Sequence, residues 1–323
     1  MNNFTYAQPA SLKEAAGMLS DSWGKTEVLA GGTDLITSLK QGVTTPDTVV
    51  SLSKISGLSG ISMKSGTITI GATTKLKELL ADKNVAKEFP ALVHATKNIA
   101  AVQMLNMGTV GGELLQRPRC WYFRNGFGLL GTENGASLIQ DGDNRYHAIF
   151  DNKGPAKFVS PSSLAPALIA LGATAEVEGP KGARSIKVAE LFTTPKSDAE
   201  REHTIKPNEI LTSISIPLSG KKNGIYEVRH RIGLDWPMVA AAVAFKEEGG
   251  TISDATVVLG HVAPTPWVAS KAASALNGKS VSDDVKKAAG DAAADGATPL
   301  SMNGYKVQQV KVAVRRAIDA AMA

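Results

Sequence analysis

"LAGGTDLITSLKQG" runs from Leu29 to Gly42, an apolar pair leading into two adjacent glycines, then Thr33, Asp34 and a stretch of helical character. Two neighbouring residues without side chains let successive amides point one way and let a ligand reach the main chain, as in an anion-binding nest. The bland alternative is a tight turn. A second pair, Gly111-Gly112 in "TVGGELLQ", repeats the plan of apolar run, two glycines and a residue able to open a helix. Neither pair fits G-x-G-x-x-G or the Walker pattern. Two pairs, one in each of two successive αβ segments, suit loops that face each other across a pyrophosphate.

Outward from the first pair, "SLKEAAGMLSD" reads as an amphipathic helix with Ser11 and Glu14 forming a capping box. "TEVLA" and "DTVVSLSKI" read as parallel strands buried on both faces. A second segment starts near Ile61: "TITIGATT" as strand, "KLKELLAD" as helix, and "FPALVHATKNIAAVQMLNMG" as one long helix stopped by Gly108. A Gly/Asn/Asp-rich loop follows from Arg117 to about Asn152, then helix and strand in "PSSLAPALIALGATAEVEG" and a strand in "EILTSISIP". "LSGKKNG" (Leu218 to Gly224) is the linker candidate. Beyond it the order is β-β-β-α-α-α, with "EEGG" as a hairpin turn and Val307, Val310, Val314 and Ile318 on one face of the last helix. The expected domains are 1–218, with subdomains of about 1–60 and 61–218, and 222–323.

Composition excludes several functions. At 43% hydrophobic and 20% charged, 323 residues suffice for two or three domains with their own cores. No apolar run reaches the ~20 residues of a membrane span. The start, "MNNFTYAQPASLKEAAGMLS", lacks the basic and apolar blocks of a secretory signal, so the expected location is cytoplasmic, with export open through a partner that carries a signal. The net charge of +5 is scattered over doublets such as Lys221-Lys222 and Arg315-Arg316, a solvated surface and not a nucleic-acid stripe. The single cysteine, Cys120, rules out an internal disulfide and any cysteine-only zinc site or iron–sulfur cluster held by this chain. No metal-ligand spacing occurs among the five histidines, and no G-x-S-x-G or local catalytic triad is present.

"VLAGGTDLITSLKQG" and "MGTVGGELLQRPRC", in this order and separation, resemble the FAD-binding middle subunit of the molybdenum hydroxylases, the xanthine dehydrogenase, aldehyde oxidoreductase and carbon monoxide dehydrogenase complexes. The likeness continues through "PSSLAPALIALGA", "EILTSISIP", "YEVRHRIGLDWPMVAAAVAF", "LGHVAPTPW" and "YKVQQVKVAVRR". "LLQRPRCWYFRNGF…DGDNRYHAIF" looks like the periplasmic-type aldehyde oxidoreductase branch. The resemblance implies an α+β chain: two αβ subdomains of the PCMH-type FAD-binding fold, then a small antiparallel sheet with helices. It implies that Leu29, Ala30, Gly31, Gly32, Thr33, Asp34 and Leu35, with Thr109, Gly111, Gly112 and Gln116, bind FAD, and that Leu211 and Trp236 lie near the flavin ring. Thr33 and Thr109 would add hydroxyl donors.

The chain departs from the family's pattern at several positions. The branch carries a four-iron–four-sulfur cluster on four cysteines. Cys120 fits the first, but Leu129 and Ser137 stand where two others belong, so no iron is expected and the loop from Leu129 to Asn144 should be mobile. Glu113 replaces a usual Asn; a carboxylate aimed at a pyrophosphate would repel it, so Glu113 either turns away or weakens FAD binding. Ser163 replaces the Asp of "PSDLAPAL", and Glu227 a frequent Lys.

The implied function is electron transfer from a partner's two-iron–two-sulfur centre through FAD to an external acceptor. Substrate oxidation would occur on a molybdenum-cofactor large subunit, and this chain would supply no catalytic residue and hold no metal. The alternatives are a cofactor-depleted bridging subunit and a stand-alone flavin oxidase. "RPRCWYFRNGF" (Arg117 to Phe127) is the expected interface with the iron–sulfur small subunit, against the alternative that it folds back on its own domain.

Overall fold

The computed structural model describes residues 1–99, 101–231 and 235–323. Ala100 of the expected long helix and residues 232–234 of "HRIGLDW" lie outside them.

The first subdomain runs β1 (Thr5–Ala7), α1 (Leu12–Met18), β2 (Thr26–Leu29), α2 (Leu35–Lys40) and β3 (Thr48–Ser51), with parallel strands in the order β1-β3-β2. Ser11 caps α1 by accepting from the Glu14 amide, but the Glu14 carboxylate reaches one residue further out than a capping box, to the Ala10 amide at 2.8 Å. Central β3 is buried at Val49 and Val50, whereas β2 is only half-buried. It is an edge strand, and its open side faces the cleft described below.

The second subdomain comprises β4 (Ile61–Lys64), β5 (Thr67–Gly71), α3 (Leu76–Ala81), α4 (Lys83–Glu88), α5 (Pro90–Lys97), α6 (Val102–Met107), α7 (Val110–Leu114), α8 (Trp121–Arg124), β6 (Thr132–Glu133), β7 (Ala136–Ser137), α9 (Leu164–Ala170), β8 (Thr174–Gly179), β9 (Gly182–Lys187) and β10 (Ile210–Pro217). Its main sheet is antiparallel throughout, in the order β4-β5-β10-β8-β9. Ile68 and Ile70 of β5 face Ile216 and Ile214 of β10, all fully buried, each contributing roughly 2–3 kcal/mol. The expected long helix is two: α5 ends at the Asn98 cap, and α6 starts after Ala101, whose extended backbone breaks the turn. The second glycine pair therefore follows a helix, and it lies inside α7 instead of ahead of it.

The third unit is β11 (Lys222–Val228), β12 (Val239–Glu248), β13 (Thr251–Gly260), β14 (Trp267–Val268), α10 (Ser270–Leu276), α11 (Asp283–Ala293) and α12 (Tyr305–Met322). Both residues of the β12–β13 turn, Gly249 and Gly250, have positive φ (57° and 81°), as a two-residue hairpin turn of the primed kind demands. "VAAAVAF" is apolar at every position because β12 is covered twice. Ala242 and Ala244 meet the core of the second subdomain, while Val239, Ala241, Val243 and Phe245 pack on α10–α12. Val310, Val314 and Ile318 of α12 enter that second core, with Val307 at its margin. No helix among the described residues is long and apolar enough to cross a membrane.

Candidate functional site

Strand β2 delivers the chain into Ala30–Asp34. Among the described residues, the amides of Gly31, Gly32, Thr33 and Asp34 donate to no protein acceptor; the first amide of the following turn that does is Ile36, to Gly32 O at 3.0 Å. Gly32 adopts φ +74°, and a Cβ there would stand 3.1 Å from Ile36 and 3.2 Å from Leu29. Gly31 serves a different need. A Cβ on it would lie 2.1 Å from the Met107 carbonyl oxygen, so the two glycine loops touch main chain to main chain.

The second loop is held by its own hydrogen bonds. Gly111 N donates to Ala72 O at 2.8 Å, and Gly112 N to the Thr109 hydroxyl at 3.1 Å. A Cβ on Gly111 would meet Ala72 Cβ at 2.9 Å and Ala72 O at 3.0 Å, so this glycine exists for packing. The second pair is thus no free-amide nest. It offers the Thr109 hydroxyl proton and the exposed main chain of Gly112.

One cleft takes in both loops. Ala30 to Leu35 line it, with Thr109, Gly111, Gly112, Gln116 and Leu211. Leu29 does not line it; its side chain packs over Gly32. Leu211 sits where β10 shifts register against β8, and the irregularity turns the strand's side chains at the cleft wall. Sequence reasoning missed Trp23 and Arg201, which also line it. The Arg201 guanidinium lies 4.7 Å from the Trp23 ring centroid and 3.2 Å from Glu27. Both come from irregular segments with no motif to mark them.

Asp34 faces away from the cleft's free amides. Its carboxylate receives Arg119 at 3.0 Å, Arg124 at 2.8 Å and the Arg117 amide at 2.7 Å. Arg117 pairs with buried Glu202, Arg124 also donates to Ser38 at 2.7 Å, and Phe123 is buried beneath the Arg117 and Arg124 guanidiniums. The "RPRCWYFRNGF" stretch therefore folds back on its own chain. Arg119 and Arg124 are engaged internally, bracing the first glycine loop through Asp34.

Glu113 also turns inward. It is buried, and its carboxylate accepts from Ser162 Oγ (2.7 Å), Ser163 N (2.6 Å), Gln116 Nε2 (3.1 Å) and Leu164 N (3.3 Å). Burial pushes its pKa up to about 7, against the lowering effect of these donors. Two departures from the family pattern thus compensate: a carboxylate absent from position 163 is supplied from position 113, at the same helix start. Glu227 is likewise buried, paired with Arg229 at 2.9 Å and Asn98 at 2.9 Å.

Gln116 closes the far end of the cleft. Its Oε1 accepts from Arg119 (3.0 Å) and from Trp236 Nε1 (3.3 Å), and Arg119 stacks 4.5 Å from the Trp236 ring. Trp236 is 43% exposed and lies beyond this partition, not in the cleft wall. Leu211 lines the cleft itself, while Trp236 lines a small adjoining cavity with Thr33, Thr109, Gly112 and Gln116.

The loop expected to be mobile is pinned. Leu129 packs with Phe123, Leu130, Ala156 and Phe158, and the Asn144 side chain bonds Ile139 O, Ser301 Oγ and Met302 N. Ser137 accepts from Gln140 N in a short hairpin. Among the described residues no group of three His, Cys, Asp or Glu side chains could hold a metal ion.

Comparison with known proteins agrees with this geometry. Residues 2–219 match the family described as FAD binding domain in molybdopterin dehydrogenase, and residues 224–321 match the CO dehydrogenase flavoprotein C-terminal domain. The chain is 30% identical to the carbon monoxide dehydrogenase medium chain of Afipia carboxidovorans, covering 99% of this chain and 97% of that one. It is 30% identical to the aldehyde oxidoreductase FAD-binding subunit of Escherichia coli, covering 83% and 84%. The solved carbon monoxide dehydrogenase of Hydrogenophaga pseudoflava superposes with a TM-score of 0.78 at 26% identity, over 99% of this chain and 98% of that chain. Equal identities to two branches single out neither.

Proposed function

The chain belongs to the family of FAD-binding subunits of molybdopterin dehydrogenases, and from that premise we propose that it holds FAD in the cleft between its first two subdomains. The carrying observation is the row of unpartnered amides from Gly31 to Asp34 on the cleft wall. Four amides with no protein acceptor suit a diphosphate, and the left-handed backbone of Gly32 that presents them is one a residue with a side chain rarely adopts. The Thr33 and Thr109 hydroxyls stand on the same wall.

When bound, the flavin supplies reversible two-electron chemistry and one-electron exchange with iron–sulfur centres. The chain's own part is positional. Arg119 and Arg124 hold Asp34 and with it the first glycine loop; Glu113 holds α7; Gln116 is fixed from both sides. Glu113 aims its charge at Ser162 and Ser163, so the repulsion that favoured a cofactor-depleted bridging role does not arise.

In this reading the protein passes electrons from an iron–sulfur small subunit to an external acceptor, and substrate oxidation occurs on a molybdenum large subunit. The test is reconstitution. The isolated chain, loaded with FAD, should show no substrate-driven flavin reduction with aldehydes or purines until the two other subunits are added. Reduction of the flavin by substrate in the isolated chain would overturn it.

A further inference from the structure

Strand β2 ends the first sheet, and its hydrogen bonds run to one side only. The Thr48 and Leu52 amides donate to Lys25 O and Leu29 O. Successive residues of a strand turn their amides and carbonyls to opposite sides, so Thr26 and Val28 present theirs away from β3. Val28 lines the cleft, and among the described residues no backbone hydrogen bond outside the ladder takes up its N–H or C=O.

The same end of the cleft carries a clasp between the two subdomains. Trp23 comes from the turn between α1 and β2, and Arg201 from the segment between β9 and β10. The guanidinium lies over the ring at 4.7 Å, and Asp21 and Asn208 join the same two segments by a hydrogen bond. Trp23 nevertheless stays 37% exposed on the cleft side of the clasp. Arg201 and the Thr44 hydroxyl both donate to Glu27 Oε1, each at 3.2 Å. Among the described residues nothing donates to Glu27 Oε2, and that oxygen keeps accessible surface on a residue of the cleft wall. Val28 and Glu27 precede Gly31 by three and four residues. At ~3.3 Å per residue they lie roughly 10 and 13 Å back from the free amides, the reach of a nucleoside from its phosphate. On the other side of those amides lies the small cavity of Thr33, Thr109, Gly112, Gln116 and Trp236.

We propose that Trp23, Glu27 and Val28, clasped by Arg201, are the residues that select the adenosine half of the dinucleotide, leaving the flavin half to the side of Gln116. The assignment rests on the FAD reading above. Trp23 supplies stacking area for a planar base. The Val28 N–H and C=O, side by side, complement the ring-nitrogen acceptor and the amino donor of adenine. Guanine carries a ring N–H and a carbonyl at those two places, in the reverse sense. Glu27 Oε2 accepts from a ribose hydroxyl, and the sugar held there keeps the base from turning over. FMN has no group to offer any of the three residues.

The test is calorimetric titration of the flavin-free full chain with FAD, FMN, ADP, 2′,3′-dideoxy-ADP and GDP. ADP should compete with FAD and bind about fivefold or more tighter than dideoxy-ADP or GDP, the worth of one hydrogen bond to a charged or buried group. Trp23→Ala should weaken FAD and ADP about tenfold, and any FMN binding less than about twofold. Glu27→Leu should bring ADP and dideoxy-ADP to nearly equal affinity while the preference over GDP persists, a readout that a merely structural role does not move. The proposal is overturned if the wild type fails to prefer ADP over dideoxy-ADP and GDP, if Trp23→Ala leaves FAD binding unchanged, or if FMN weakens in step with FAD. A wild-type chain that binds ADP but no FAD contradicts the proposed function and leaves the nucleoside site standing. One that binds FAD but shows none of these preferences overturns this inference alone, and one that binds neither overturns both.

Discussion

Replacing Glu113 by Gln tests whether one buried carboxylate anchors the second glycine loop. The side chain keeps its shape but loses its charge, and its amide NH2 must face a donor where the carboxylate accepted. Four contacts are at stake, from Ser162 Oγ, Ser163 N, Gln116 Nε2 and Leu164 N. Each buried donor that the Gln amide leaves without an acceptor costs ~1–3 kcal/mol, which puts the loss at about 3 kcal/mol. The carboxyl also has a pH signature. Its pKa is raised by burial from 4.5 to about 7, so the folded state binds the proton more tightly than the unfolded chain. The stability this contributes is fully present below pH 4.5 and is lost as pH rises through about 7, roughly 3 kcal/mol in all. Denaturant unfolding of FAD-free protein at closely spaced pH values should show that slope in the wild type, and Glu113→Gln should flatten it. Ser163→Asp alone should destabilise by placing two carboxylates at one helix start, and Glu113→Asn with Ser163→Asp should recover most of the loss. Equal slopes in wild type and Glu113→Gln, or a double variant no better than Ser163→Asp alone, would refute the reasoning.

The two glycine loops should respond differently to added side chains. Gly32→Val should reduce FAD retention with a stability cost of about 1–2 kcal/mol, from the left-handed backbone; Gly111→Val should lower the unfolding midpoint far more, because Ala72 has no room to yield. Flavin titration beside thermal unfolding separates the two. Charge reversal at Arg119 and Arg124 strands Asp34 against like charge in a mostly buried setting, a cost of about 3–5 kcal/mol; FAD release should accompany any loss of assembly, and full flavin occupancy in the double variant would contradict the brace. Metal analysis of the isolated chain should find no stoichiometric iron, since Leu129 is packed into an apolar cluster where a ligand would stand.

Elements with a strong local signature were legible in the sequence. The Ser11 cap, the Gly249-Gly250 turn and the α12 stripe each depend on neighbours within a few residues, and each appears where its pattern places it. The break between α5 and α6 was not legible, because apolar spacing runs through it while the backbone at Ala101 turns extended. The glycine pairs look alike as letters and differ in use, since Gly31 and Gly111 are fixed by Met107 and Ala72, long-range partners that no local pattern announces. For Glu113 and the Arg117–Phe127 stretch the sequence leaves two orientations open, and for Asp34 it marks a place in the loop but not its ion pairs. Their partners, Arg119, Arg124, Ser162 and Glu202, come from several distinct segments and meet only in the fold.

The central claim is that Gly31–Asp34 and Thr109–Gly112 together hold one FAD. The most direct measurement is flavin stoichiometry of the purified chain, by absorbance and by mass of the released cofactor, with Gly32→Val alongside. The account predicts a yellow protein carrying one FAD per chain in the wild type and a clear loss in the variant. A folded wild-type chain that stays colourless after incubation with excess FAD would contradict it, as would a Gly32→Val chain that retains the full complement.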